Sequence, residues 1–323
     1  MRVRSILVLS LALVCLACAH AQAQSWPNRP VKIISPFAAG GAADTLGRLI
    51  ADHLSSAFHQ QFYVENRGGG GGIVGATAGA AAEPDGYTLV VAGIASSVIS
   101  PAFNANVGYD GLRDFTYIAY LGGPPVVMIV HPSLGMTTYQ DFLALARQQK
   151  EPMSFISPGT GSHGFLVGEY LAREERYQVR HIPYKGAGPA LTDLIAGHVK
   201  LGTITFSTAA EQIRAGRVRA LGVTKASRIP NFPDIPTFRE LGRDLVAATW
   251  FALAGPAKLP KEIVQQVNRE TLKAMQLPEV QKRLAVDAIE THLFSPEEVT
   301  PFVEAETTRW APLAKSLAAS NPQ

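Results

Sequence analysis

The chain alternates short apolar segments with segments of helical spacing, and glycine-bearing turns join them. Residues 31–34 are β-branched and apolar, which is typical of a buried strand, and apolar residues recur at helical spacing over 46–58. Further strand candidates follow in the same alternation, at 62–66, 87–93, 126–130, 153–157, 179–182, 201–206, 220–224 and 250–253. The pattern predicts an α/β protein with mostly parallel sheets covered by helices and ligands at the carboxyl ends of the strands.

The first 23 residues have the layout of a secretory signal: two early arginines, the apolar run 6–17 and small residues in an Ala-x-Ala arrangement. Two cleavage points fit, and we prefer the one after Ala23. A lipoprotein cut before Cys18 is the competing interpretation, but Cys15 is a poor substitute for the usual leucine. The mature chain is therefore expected to be periplasmic.

Cysteine usage and charge exclude several classes of protein. Both cysteines of the chain fall within the predicted signal, so the mature protein has no thiol for a disulfide, a thiolate nucleophile or a zinc–sulfur site. Removal of the two signal arginines leaves 27 basic against 26 acidic side chains, too small an excess for a nucleic-acid partner. No second apolar segment reaches the length of a membrane span, so we expect no direct membrane insertion.

The first strand-to-helix turn, residues 35–45, is typical of an anion-binding turn. Gly40 and Gly41 allow close approach of the backbone to a ligand, and Asp44 or Thr45 can cap the helix. Free N–H groups and the positive helix end would then face a carboxylate. The alternative from these residues alone is an ordinary capped turn.

Three later turns repeat this arrangement. Ser96 and Ser97 follow the third strand and form a candidate second wall, or merely cap the next helix. Lys185 follows a later strand and is either a cation at the site or a solvated lysine. Residues 158–164 match G-x-G-x-x-G, but no acidic ribose ligand follows the next strand, so the glycines are expected to free N–H groups for another anion.

A second domain is expected after the Gly/Pro break at 122–125. A fresh strand–helix series starts there, and the late strand at 250–253 returns the chain to the first unit. The predicted hinges are near 122–126 and 246–250. The predicted domains are 24–125 plus 247–323 for domain I and 126–246 for domain II.

A set of ordered motifs covers essentially the whole mature chain. They are WPNRP at 26–30, PFAAGGAAD at 36–44, VENRG at 64–68, PDGY at 84–87, HIPYKG at 181–186, PALTD at 189–193, AG at 215–216 before RAL at 219–221, and PDIPT at 233–237. Together they resemble the Bug-type, TctC-like receptors, which are the periplasmic solute-binding proteins of tripartite tricarboxylate transporters.

The resemblance implies a two-domain clamshell that grips a small organic carboxylate in its interdomain cleft and delivers it to an integral-membrane permease. It implies no catalytic residue, metal or cofactor, and we expect a monomer. The expected ligand-binding residues are Phe37, Ala38, Ala39, Gly40, Gly41, Ala42, Asp44, Ser96, Ser97, Thr160, Gly161, Ser162, His163, Lys185, Thr205 and Phe206. Two departures from the family pattern stand out: Ala39 replaces a proline, and Ile204-Thr205 replaces Asp-Asn.

The missing acidic residue favours a ligand without an ammonium group, foremost a dicarboxylate and secondly an aromatic one such as terephthalate, since an unpaired buried charge is costly. Phe37 and Phe206 are candidates to flank its apolar middle, and the alternative is that these aromatic residues belong to the core. Asp44 leaves open whether the ligand carries an ammonium group, because Asp44 either caps its helix or pairs an amino group of the ligand.

Two rival functions remain at this stage. An exported hydrolase would use Ser162 and His163, but adjacent residues on a turn usually point apart and no third orienting group is identifiable; Thr160 also breaks the G-x-S-x-G pattern. The histidines are scattered without H-E-x-x-H, which disfavours a zinc enzyme. A sensor that presents its closed form to a signalling partner is the other rival.

Overall fold

The computed structural model describes residues 26–320, so the predicted signal segment and its alternative cleavage points lie outside the described residues. The strands are β1 (Val31–Ser35), β2 (Phe62–Asn66), β3 (Thr88–Gly93), β4 (Phe115–Gly122), β5 (Val126–Val130), β6 (Met153–Ser157), β7 (Val179–Pro183), β8 (Leu201–Thr205), β9 (Arg219–Val223) and β10 (Phe251–Pro256). The α-helices are α1 (Ala42–Phe58), α2 (Ile73–Ala80), α3 (Ser100–Phe103), α4 (Tyr139–Gln148), α5 (His163–Glu175), α6 (Ala187–Ile195), α7 (Phe206–Arg214), α8 (Lys261–Gln276), α9 (Pro278–Val286) and α10 (Pro296–Ser320).

The strands form two five-stranded sheets, in the orders β2-β1-β3-β10-β4 and β7-β6-β8-β5-β9. We call the first sheet with the helices packed on it the first lobe, and the second sheet with its helices the second lobe. In the first sheet β1 is parallel to β2 and β3, while β10 is antiparallel to β3 and β4. The second sheet repeats this, with β6 parallel to β7 and β8, and β5 antiparallel to β8 and β9.

The sheets are therefore mixed, and the prediction of mostly parallel sheets holds only for the strands β1–β3 and β6–β8. Alternating strands and helices predict parallel neighbours only where each helix connects two strands of the same sheet. β5 and β10 instead enter their sheets directly from the other lobe, so they run against their neighbours. β4 is absent from the predicted strands, although most of its residues are apolar and buried.

Strand burial follows the expected pattern for sheets covered on both faces. Val31 and Ile33 belong to one buried apolar cluster and Ile34 to another, on the opposite face of β1. On β5, Val127 and Ile129 face one cluster and Met128 the other. The alternation explains why these strands appear in the sequence as continuous apolar runs.

The chain crosses between the lobes twice, and the crossings lie side by side. Thr249 N donates to the carbonyl of Pro124 at 2.8 Å, and Ala247 N donates to that of Thr224 at 2.8 Å. A third segment joins them, since Gly123 N donates to Glu290 O at 3.0 Å. The crossings lie at the predicted hinges; the domain limits 24–125 plus 247–323 and 126–246 stay a prediction.

No helix among residues 26–320 is both long enough and apolar enough to cross a bilayer.

Candidate functional site

A cavity lies between the two lobes, at the carboxyl ends of strands from both sheets. The empty space among its lining atoms, including the open mouth, is about 490 Å³. Its lining residues are Phe37, Gly41, Ala42, Ala43, Gly93, Ala95, Ser96, Pro158, Ser162, His163, Gly164, Ala187, Thr205, Thr249 and Phe251. None of these described lining residues is an acid, a lysine or an arginine, so polar recognition rests on hydroxyls, one imidazole and backbone groups.

Four helices begin at this cavity. The lining includes Ala42 of α1, His163 of α5, Ala187 of α6 and the residue before α7, Thr205. The N-caps of α1, α6 and α7 make no side-chain capping hydrogen bond, although Phe206 N at the start of α7 donates to Pro125 O at 2.8 Å. Converging helix N-termini give the cavity a positive potential without any formal charge.

Ser162 caps α5. Its Oγ accepts a hydrogen bond from Phe165 N at 3.1 Å and lies 3.3 Å from the Oγ of Ser157, to which it donates. The residue is buried and lines the cavity. Its position follows from the turn chemistry, because serine is a preferred N-cap residue.

His163 is buried and does not face Ser162. Its Nδ1 lies 2.9 Å from Thr249 Oγ1, its Nε2 has no partner among the described residues, and its ring packs edge-on against Trp310 with 5.3 Å between centroids. Burial lowers the pKa of His163 to about 3, so the imidazole is neutral at physiological pH. The pair therefore lacks the geometry of a nucleophile and its base.

Seven of the predicted site residues line the cavity: Phe37, Gly41, Ala42, Ser96, Ser162, His163 and Thr205. The structure places nine others outside this lining: Ala38, Ala39, Gly40, Asp44, Ser97, Thr160, Gly161, Lys185 and Phe206. Ser96 Oγ accepts from Gly93 N at 3.1 Å, so it bonds back to the end of β3 and does not cap the next helix.

The carboxylate of Asp44, near the start of α1, is held by groups of the first lobe. Its carboxylate accepts from Gly40 N at 3.1 Å and from Asn66 Nδ2 at 2.9 Å, and it pairs with Arg48 at 2.9 Å. Burial by itself would raise the pKa of this carboxyl, but the hydrogen bonds from Arg48, Asn66 and Gly40 outweigh it and lower the pKa. The side chain is thus fully engaged within the first lobe.

Phe206 and Lys185 also differ from their expected roles. Phe206 is fully buried and packs edge-on against Phe232 at 4.9 Å, so it belongs to the core of the second lobe. Lys185 is exposed, and its contribution to the interface is its carbonyl, which accepts from Ala38 N at 2.8 Å. Phe251, which sequence reasoning did not select, supplies an aromatic ring to the lining opposite the second lobe.

Thr249 and Phe251 are site residues that sequence reasoning missed. Thr249 precedes β10 and Phe251 begins it, and this strand was predicted only as the return of the chain to the first unit. The sequence did offer one signal for them: a segment that returns the chain from one lobe to the other runs beside the cleft, where ligand sites usually lie.

Two five-stranded lobes joined by adjacent crossings, with a cavity between them, define the clamshell class of periplasmic binding proteins. The model of the tripartite tricarboxylate transporter family receptor, TctC, matches residues 46–318. The chain belongs to this family, whose members are solute-binding receptors.

Relatives support the assignment over the whole length. The chain is 30% identical to the protein BugT of Bordetella pertussis, with 93% of each chain covered. Among solved structures, Rpa4515 of R. palustris with adipate is 32% identical, with a TM-score of 0.86 over 91% of this chain and 98% of that one. MatC of Rhodopseudomonas palustris with bound malate is 28% identical, with a TM-score of 0.85 over 90% and 100%.

Proposed function

We propose that this protein is a periplasmic receptor that captures a small organic dicarboxylate and delivers it to a tripartite tricarboxylate-type membrane permease. The observation that carries the proposal is the convergence of four helix N-termini on a cavity whose described lining has no charged side chain. Free N–H groups at helix starts bind carboxylate oxygens, and the helix dipoles favour the negative charge.

The two lobes supply separate groups for the two ends of such a ligand. Gly41, Ala42 and Ser96 lie on the first lobe, while Ser162 and Thr205 lie on the second. Adipate and malate, bound in the two related structures, both carry two carboxylates, which supports this chemistry. An aromatic dicarboxylate is the second option, since the rings of Phe37 and Phe251 line the same cavity.

An ammonium group has no counter-charge in this cavity. The nearest acidic side chain of the first turn, Asp44, is occupied by Arg48, Asn66 and its own helix start. A neutral His163 offers neither a formal positive nor a negative charge. Amino acids are therefore expected to bind more weakly than simple dicarboxylates of the same length, because an unpaired buried charge is costly.

The test is isothermal titration calorimetry of the mature protein at one salt concentration against succinate, adipate, malate, terephthalate, nicotinate, aspartate and glutamate. A preceding thermal-shift screen selects the binders, because a tight ligand raises the melting temperature by mass action. Tightest binding of a simple dicarboxylate is expected. Tighter binding of an amino acid than of every simple carboxylate would contradict the ligand class, and no binding by any of them would contradict the function.

The permease as partner, the periplasmic location and the monomeric state are part of the same proposal. Family membership supports the first two. Co-purification of the exported protein with the membrane subunits, in the presence of the best ligand, tests the partnership.

A further inference from the structure

The lobes meet directly along a line of glycines that lies outside the cavity lining. Its members come from both lobes, and we call them the glycine seam: Gly68 and Gly71 on the first lobe, and Gly159, Gly161, Gly186 and Gly188 on the second. A Cβ built on any of these glycines would either overlap an atom of the opposite lobe or lie within van der Waals contact of one. The seam therefore depends on the absence of side chains on both surfaces.

The contacts at single positions belong almost wholly to the opposite lobe. A Cβ on Gly188 would lie 2.5 Å from Ala39 O, and its next neighbours are atoms of Gly40 at 3.5 Å. A Cβ on Gly161 would lie 2.6 Å from Ser100 Oγ. A Cβ on Gly71 would overlap the carbonyl oxygen of Thr160.

Hydrogen bonds across the seam accompany this close approach. Ala38 N donates to Lys185 O at 2.8 Å. The hydroxyl of Ser100, which is buried, lies 3.3 Å from Gly71 O and 3.2 Å from Gly161 O, so it reaches one carbonyl of each lobe. The Ala38–Lys185 and Ser100–Gly161 bonds form only while the lobes are together, because donor and acceptor belong to different lobes; Ser100 and Gly71 both belong to the first lobe.

We propose that the glycine seam, with Ser100, sets ligand affinity by setting the free energy of lobe closure, without touching the ligand. A receptor whose closed state is less populated binds its ligand more weakly in proportion. The part of this inference that concerns affinity rests on the proposed function. The part that concerns closure does not, since it follows from contacts between the lobes.

Gly188 is the best position for a substitution that disturbs the closed form of the protein and leaves the open form intact. It lies inside helix α6 with no positive φ, so alanine there is a better helix former than glycine in the open form. All three nearest atoms to its Cβ belong to the first lobe, so the clash exists only in the closed form. Pro189 is the next residue of the same helix turn and is exposed, and Pro189→Ala serves as the matched control.

The experiment compares the mature wild type, Gly188→Ala, Ser100→Ala and Pro189→Ala by hydrogen exchange at the amide of Ala38, without ligand and with 10-fold excess adipate. Gly188→Ala is expected to lose about tenfold or more of the protection at Ala38 and of the adipate affinity, with Pro189→Ala unchanged. Ser100→Ala, which adds no atom, is expected to show a smaller loss in the same direction. Circular dichroism confirms that each variant folds.

The outcomes separate the two proposals. Equal exchange at Ala38 in wild type, Gly188→Ala and Ser100→Ala under both conditions overturns the glycine seam as a closure device. Equal adipate affinity in the wild type and Gly188→Ala overturns its role in affinity while the receptor function stands. If the wild type binds no carboxylate, the receptor function fails, and the ligand-free exchange at Ala38 still decides the seam.

Discussion

His163 at the start of α5 and Thr249 on the returning crossing form a hydrogen-bonded pair, with the imidazole Nδ1 2.9 Å from the threonine Oγ1. The two residues are far apart in sequence, and both line the cavity. The bond holds the imidazole at the cavity wall and away from Ser162. It thereby links the second lobe to the crossing that returns the chain to the first lobe.

Replacement of Ser162 by alanine is expected to reduce both stability and ligand affinity. The lost cap of α5 costs about 1 kcal/mol of unfolding free energy, and a lost hydroxyl bond to a buried carboxylate costs about 1–3 kcal/mol of binding. Urea unfolding and calorimetry measure the two. Thr138→Ala is the matched control, because Thr138 caps α4 in the same way but lies outside the cavity lining.

The control should lose stability and keep its affinity. Unchanged affinity in Ser162→Ala would show that this hydroxyl serves the helix only. A hydrolytic activity that Ser162→Ala abolishes would instead establish the rival enzyme function.

The titration of His163 should appear in the pH dependence of stability. Because burial lowers its pKa from 6.5 to about 3, the unfolded chain binds more protons than the folded one between these two values. Stability from this group is therefore fully present above pH 6.5 and falls as the pH drops towards 3, by at most about 1.4 kcal/mol per pH unit. Urea unfolding from pH 7 to 4.5 should be less pH-dependent in His163→Gln than in the wild type.

His198 provides the control for this series, since its side chain is 71% exposed. A slope in His163→Gln as steep as that of the wild type would contradict a neutral, buried imidazole.

Glu175 should stabilise the second lobe without affecting binding. Its buried carboxylate accepts from Arg147 at 2.8 Å and from Arg243 at 2.6 Å, with the hydroxyl of Tyr139 at 3.4 Å. Glu175→Gln is expected to cost about 2 kcal/mol or more of unfolding free energy, because two guanidinium groups lose their charged partner. Calorimetry should return the wild-type ligand affinity; a large affinity change would show that this network reaches the cavity.

Asp44→Asn should lower stability and leave ligand preference unchanged. The amide keeps the size of the carboxylate but weakens the interactions with Arg48 and Gly40 N, for a cost of about 1–2 kcal/mol. The ranking of adipate against aspartate in calorimetry is the measurement. A selective loss of aspartate binding would mean that Asp44 pairs a ligand ammonium after all.

Local chemistry made much of the site predictable. The turn from β1 to α1 appears in the sequence as an apolar run, two glycines and a helical pattern, and Gly41 and Ala42 do line the cavity. Ser162 was found from the glycine-bearing turn 158–164 and from the family resemblance. These features are decided by backbone conformation within a few residues, which sequence patterns report directly.

The sequence by itself determined the α/β class, most of the strands and helices, and the turns that bear the site. Only the tertiary structure decided that Phe206 enters the core, that Asp44 is held by Asn66 and Arg48, and that Thr249 and Phe251 reach the cavity. It also decided that β5 and β10 run antiparallel and that the glycine run meets the opposite lobe. The physical reason is that each of these depends on packing between separate elements, often in different lobes, whereas turn and helix signals act over a few neighbouring residues.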